Sequence, residues 1–387
     1  MPSIIEHPGP TVRQISGKDP KGRYVLSVMV KQTFAFSPTG TCRLAEEQAP
    51  LRDKSEIADE QTGLVVHDLE LFHWKLKTDV IVKGHVHGYD KRPTQCEAVI
   101  QVGAARKQIL VFGDRHCALG ANGQVFFANP QPFEKIPLAF THAYGGADLI
   151  AQADALPAFM EKIKDVDAPQ REMALSVLHR YPRNPCGRGY LFKATPTALE
   201  TLRLPNLEDP LQPLVPDKLE VESTANWYRM PMPQATDWVA YSWFPRCAGV
   251  GIIPPFDRER AAFPEVARGY LADKQIKLAM PTDADAFLLT NGAPLDLQVP
   301  YLVGGETISL TNIHPKMPTY SFKLPSPAPK IWTDGRKGKL NETLSVLNSV
   351  VIEPDEGRVT LVWRGSAQAL RPYMVEELDK MPLRVEW

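Results

Sequence analysis

The chain has 387 residues, is 43% hydrophobic and balances 44 basic against 45 acidic side chains for a formal net charge of -1. That length and apolar content support a substantial core, while the even charge argues against nucleic acid or an anionic membrane as the main partner. No run of about 18 uncharged apolar residues occurs, and the start MPSIIEHPGP lacks the cationic and apolar regions of a signal peptide, so the expected compartment is the cytoplasm.

From Tyr24 to Phe36 the sequence YVLSVMVKQTFAF is rich in β-branched and aromatic residues and stops at SPTG, which predicts a strand ending in a turn. Strand-like runs follow at 78–89, 94–103, 105–113, 123–128 and 135–146, broken by Gly, Pro, Asn or Asp at hairpin spacing. Residues 1–145 therefore read as an N-terminal antiparallel β unit.

The middle, 146–285, changes character. Residues 148–180 have helical composition, and Asp167 before Pro169, with Met173 and Val177 four apart, fits a capped amphipathic helix. Proline is then dense, as part of the 36 in the chain; TDWVAYSWF (236–244) reads as a strand and DRERAAF (257–263) as a helix. From 286 to 387 β patterning returns, and the segments TLSVLNSVVIEP and GRVTLVWRG predict a hairpin across the DEG at 355–357. The expected fold is mainly β, an α+β arrangement with sandwich-like antiparallel sheets from both ends and a Pro-rich middle carrying a few helices. The three segments are able to pack as one continuous domain.

Reactive groups are sparse. The five cysteines at 42, 96, 117, 186 and 247 are odd in number and not closely paired, which suits reduced buried thiols more than a disulfide framework or a zinc ribbon. His85 and His87, two apart on a strand, face one side and could ligate an ion, with His67, His73 or His116 as a third ligand. No carboxylate or cysteine sits at a familiar metal spacing, so no metal and no cofactor is expected. Asp114, Arg115, His116 and Cys117 place a nucleophile and a base near a carboxylate, but adjacent residues on an extended loop point apart. There is no P-loop or dinucleotide fingerprint.

The most informative feature is one of shape. YGGADL (144–149), YPRNPCGRGY (181–190) and LPNLEDP (204–210) are built from residues that set backbone geometry. Arg183 and Arg188 flank Asn184 and Pro185, placed either to offer fork donors to a partner carboxylate or to hold the loop through backbone carbonyls. Trp227, Tyr228, Trp238, Tyr241, Trp243 and Phe244 form an aromatic group suited to core filling, to a protein interface or to a carbohydrate site.

Taken in order, FGDR, PLAFTHAYGGADL, RNPCGRGY, LPNLEDP, GAPLDLQVPYLVGGETISLTNIHP and VVIEPDEGRVTLVWRG resemble the bacterial type VI secretion accessory family, domain of unknown function 2169, from about residue 20 to about residue 365. The resemblance implies a non-catalytic cytoplasmic adaptor or chaperone. Its partners would be an effector protein and the spike or tip components onto which that effector is loaded. It supplies no catalytic residue to carry over. With the loop 181–190 bracing the interface, the candidate partner contacts are Tyr144, Arg183, Asn184, Arg188, Trp227, Tyr228 and Trp243. Alternative readings are a hydrolase using His85 and His87 with a metal, or Cys117, and a carbohydrate-binding sandwich.

Overall fold

The computed structural model describes residues 11–19, 21–89, 92–168, 171–172, 175, 178–221, 230–244, 246, 290–335 and 338–387. Strands from both ends of the chain interleave in the largest sheet among the described residues, which has seven strands. Its order runs Thr11–Lys18, Tyr24–Phe36, Arg358–Gln368, Ser345–Glu353, Thr78–Val82 and Gln298–Val299, with Cys42–Leu44 added against Tyr24–Phe36. Neighbours are antiparallel except Ser345–Glu353 with Thr78–Val82, which run parallel.

The Tyr24–Phe36 strand is buried along nearly its whole length, on both faces. That explains its sequence: a strand covered on both sides reads as a continuous apolar run and does not alternate. Its one lysine, Lys31, is 4% exposed and donates to both oxygens of buried Glu70 at 2.7 and 2.8 Å. The predicted hairpin is present, with Glu353 opposite Arg358 and the turn closed at Gly357, where φ is 65°. Trp363 on its return strand is wholly buried opposite Val30, so Trp363→Ala is expected to cost about 3–5 kcal/mol.

The second sheet, of five strands, runs Leu207–Glu208, Ala105–Phe112, Gln95–Val102, Thr307–Thr311 and Thr319–Lys323, all antiparallel. Here burial alternates, one side packing into the main core through Ala98, Ile100, Val102, Ile109 and Val111. The mainly β expectation holds, and no helix among the described residues is long and apolar enough to cross a membrane.

One local expectation is corrected and another is extended. Residues 236–244 form no strand: Thr236 exchanges hydrogen bonds with Val82 and Leu138, Val239 turns to Gly292, and Trp243 closes a turn on Ala240. Pro231 and Pro233 just upstream lack the N–H groups that a ladder needs. The 148–180 segment carries helix at two places: Leu149–Lys162 runs behind an Asp148 N-cap, and directly after the predicted cap at Asp167 the described residues Ala168, Arg171, Glu172 and Leu175 are helical, with Arg171 N donating to the Asp167 carbonyl at 2.9 Å. Pro169, Met173 and Val177 lie outside the described residues, as does the expected helix at 257–263.

Candidate functional site

The shape-setting blocks converge on one another. Tyr144–Gly145 pairs in parallel with Arg188–Gly189, a two-residue ladder that joins YGGADL to RNPCGRGY. Asn184 lies at its centre with no exposed surface. Its side-chain nitrogen donates to the carbonyls of Phe140 at 2.8 Å and Tyr144 at 3.0 Å, and its own carbonyl accepts from the Gly146 amide at 2.8 Å. This proximity dictates the glycines. A Cβ on Gly145 would fall 2.2 Å from the Asn184 carbonyl oxygen, and Gly146, at φ +97°, would place one 2.5 Å from that of Gly187.

Arg188 acts as a bracket between blocks. Its Nε donates to the Thr141 carbonyl at 2.9 Å and its Nη1 to Asn206 Oδ1 at 3.0 Å, with Asp114 Oδ1 3.7 Å away. Asn206, from LPNLEDP, in turn donates to the Phe112 carbonyl and to Asp114. Arg115 pairs with buried Glu208 and lies 3.8 Å over the ring of Phe112. Arg183 is 4% exposed and its Nη1 donates to the Tyr181 hydroxyl at 3.2 Å. Of the two roles open to the loop arginines, holding backbone carbonyls is the one Arg188 performs in the structure.

The aromatic residues fill space beneath the loop. Tyr144 meets Tyr181 edge-on at 5.1 Å between centroids, and Tyr190 stands 5.9 Å from Tyr181. Burial pushes the Tyr144 hydroxyl well above its ordinary pKa. Trp243 is 1% exposed, packs edge-on against Phe140 and donates its indole N–H to the Thr62 carbonyl. Thus Tyr144, Arg183, Asn184, Arg188 and Trp243 all lie in or beside the braced region, four of them buried and Arg188 half-buried. Trp227 and Tyr228 lie outside the described residues.

On the solvent side these blocks frame an open groove of about 280 Å³, floored by Gly145, Gly146, Gly187 and Gly189 and flanked by Leu149 and Leu202. The carboxylate of Asp148 fixes its edge. One oxygen caps the Leu149–Lys162 helix through Ala151 N at 2.9 Å, and the other accepts from Phe192 N and Lys193 N. That helix buries none of its residues; Leu149 is 65% exposed and Leu156, two turns on, is 39% exposed.

The reactive candidates are engaged differently from what their spacing suggested. His85 and His87 do face one side, and both meet Asp355 in the hairpin turn: His85 Nδ1 to Oδ2 at 2.6 Å and His87 Nε2 to Oδ1 at 2.9 Å. Among the described residues, no set of three His, Cys, Asp or Glu is arranged to hold a metal ion. Cys117 is buried and its thiol is pushed up to about 11 by burial, with Arg115 opposing. Burial also pushes Cys42 and Cys96 up to about 11 and Cys186 to about 12, so all four are protonated thiols at neutral pH.

Sequence spacing could not have found Asp355 or Asn206, since each is brought in by tertiary pairing from a distant segment. A third such case is Arg246, 2% exposed, which pairs with buried Asp68 at 2.8 Å and stacks 3.8 Å over Tyr241.

Comparison with known families places the chain plainly. Residues 21–364 match the bacterial family described as "Uncharacterized protein conserved in bacteria (DUF2169)", and the chain belongs to that family. No curated protein and no solved structure matches it.

Proposed function

We propose that this family member is a non-catalytic adaptor or chaperone. It binds a type VI secretion effector, or the effector's tip-like domain, and assists its loading onto the secretion spike. The observation that carries the reading is the use of the most distinctive sequence blocks. They lock one another through Asn184, Arg188 and Asn206, and they present a preformed groove beside a helix that buries none of its residues. A rigid concave surface beside exposed Leu149 and Leu156 suits recognition of an apolar element on a partner chain. Protonated thiols and a histidine pair already engaged by Asp355 support binding over turnover at those groups.

The test is co-purification of the tagged full chain with its partners from the native host, identified by mass spectrometry, alongside a Leu149→Glu/Leu156→Glu variant. The adaptor reading expects an effector or spike component that the variant loses while keeping wild-type thermal stability. Recovery of no secretion component by the wild-type chain would count against it.

A further inference from the structure

A second cavity, of about 290 Å³, lies on the other side of the loop arginines. Its walls are apolar where Phe140, Phe244 and Leu295 line it, and three cations, Lys107, Arg183 and Arg246, also line it. Two of the cations are held by known partners. Lys107 Nζ donates to Gln234 Oε1 at 2.9 Å and to Asp296 Oδ2 at 2.7 Å, and Arg183 donates to Tyr181.

Arg246 is less complete. Its Nη1 serves the Val239 carbonyl and Asp68, but its Nε and Nη2 have no hydrogen-bond partner among the described residues, although the side chain is 2% exposed. A buried N–H left without an acceptor destabilises the fold, so a cavity wall that retains two such nitrogens is suited to supply them with acceptor oxygens. Charge agrees with this. The lining carries three cations against two carboxylates, Asp209 and Asp296, an excess of one positive charge. Asp68, paired with Arg246, stands behind the lining. A planar guanidinium is matched in geometry to a carboxylate.

We infer that this cavity binds a monocarboxylate attached to a short apolar body, the carboxylate drawn to the buried guanidinium of Arg246 in the wall and the hydrocarbon against Phe140, Phe244 and Leu295. The volume, at about the lower limit of small-molecule sites, suits one such group and is too small for a nucleotide. Two sources share this chemistry: a free small aliphatic acid, and the C-terminal residue of a peptide chain. The inference is independent of the adaptor reading, because neither its residues nor its probes involve the groove beside Leu149.

The experiment titrates the full chain by calorimetry with four probes: hexanoate, its neutral counterpart hexanamide, and N-acetyl-Ala-Leu as free acid and as amide. Saturable binding of at least one acid, about tenfold or more tighter than its amide, is expected. Binding of hexanoate alone assigns a free acid, binding of the dipeptide acid alone assigns a chain terminus, and either result supports the site. Because Arg246→Lys also disturbs the buried pair with Asp68, the decisive variant is Leu295→Trp. Residue 295 is 49% exposed and the indole would fill the cavity without touching that pair. Unchanged thermal stability with binding reduced about tenfold or more is expected. No saturable binding of either acid, equal binding of acid and amide, or full binding by Leu295→Trp overturns the inference.

Discussion

The side-chain amide of Asn184 donates to the Phe140 carbonyl at 2.8 Å, tying the middle of the RNPCGRG loop to the turn that precedes YGGADL. Because the same nitrogen reaches Tyr144 and the residue has no exposed surface, no solvent can substitute for it. Asn184→Asp removes both donations and sets a carboxylate against carbonyl oxygens, so a loss of about 3 kcal/mol or more is expected. Urea unfolding followed by tryptophan fluorescence measures it. A loss under about 1 kcal/mol would show that the loop does not depend on this bracket.

Arg188 offers a second, graded test of bracing. Arg188→Ala deletes the bonds to Thr141 and Asn206 in a half-buried setting, and a loss of about 1–2 kcal/mol is expected. Arg188→Lys keeps the charge but not the fork that spans both acceptors, so it recovers less than half of that loss. If the arginine braces, Arg188→Ala combined with Trp227→Ala still co-purifies with the partner at temperatures well below its lowered midpoint. Lost co-purification at an unchanged midpoint would instead assign Arg188 to the contact surface.

The strands were the legible part of this fold because their signals are local. YVLSVMVKQTFAF announces a strand buried on both faces, and the DEG turn aligns Glu353 with Arg358. TDWVAYSWF carries a similar apolar density but is not a strand, since Trp238, Trp243 and Phe244 are buried by loop packing and the backbone finds partners in four separate segments, at Val82, Leu138, Pro182 and Gly292. The helical turn after Asp167 was legible for the same local reason as the strands, and Arg171 N is bonded to the Asp167 carbonyl. The Asp148 cap of the Leu149–Lys162 helix was not legible, because its second oxygen is fixed by the Phe192 and Lys193 amides of a distant segment. In the candidate site, the glycines and Asn184 were recognisable as shape-setting residues. Which side chains would be buried was not, because exposure depends on what the rest of the chain lays over them.

Two histidines give the fold a defined acid sensitivity. Burial pushes His67 down to about 4, with Lys83 and Arg52 adding to the shift; burial, then Arg188 and His85, does the same to His142. An unfolded chain binds these protons near the ordinary value of 6.5, whereas the folded chain resists them until about 4. Their contribution is therefore fully present above pH 6.5 and is lost as pH falls toward 4. Both rings are partly exposed, so after allowance for screening the loss is on the order of 1 kcal/mol for each. Denaturation midpoints across this window should fall with pH, and His67→Asn/His142→Asn should flatten the slope. An unchanged slope in the double variant would assign the acid sensitivity to other groups.

The Asp355 carboxylate decides what the two-histidine pattern on strand His85–His87 can do. With Oδ2 2.6 Å from His85 Nδ1 and Oδ1 2.9 Å from His87 Nε2, both inward-facing ring nitrogens already have a partner. A metal ion would have to displace those bonds and find further ligands in a site that is about a quarter exposed at Asp355. Equimolar zinc is therefore expected to leave the thermal midpoint of the wild-type chain unchanged, whereas a rise of several degrees would mean that the trio accepts metal. Asp355→Ala breaks the tie between the strand and the hairpin turn. Because the pair is partly solvated, the expected cost is only about 1 kcal/mol, read as a small drop in the urea midpoint. His85→Ala and His87→Ala should each lose part of the same increment, and combining either with Asp355→Ala should add little, since all three substitutions remove one shared interaction.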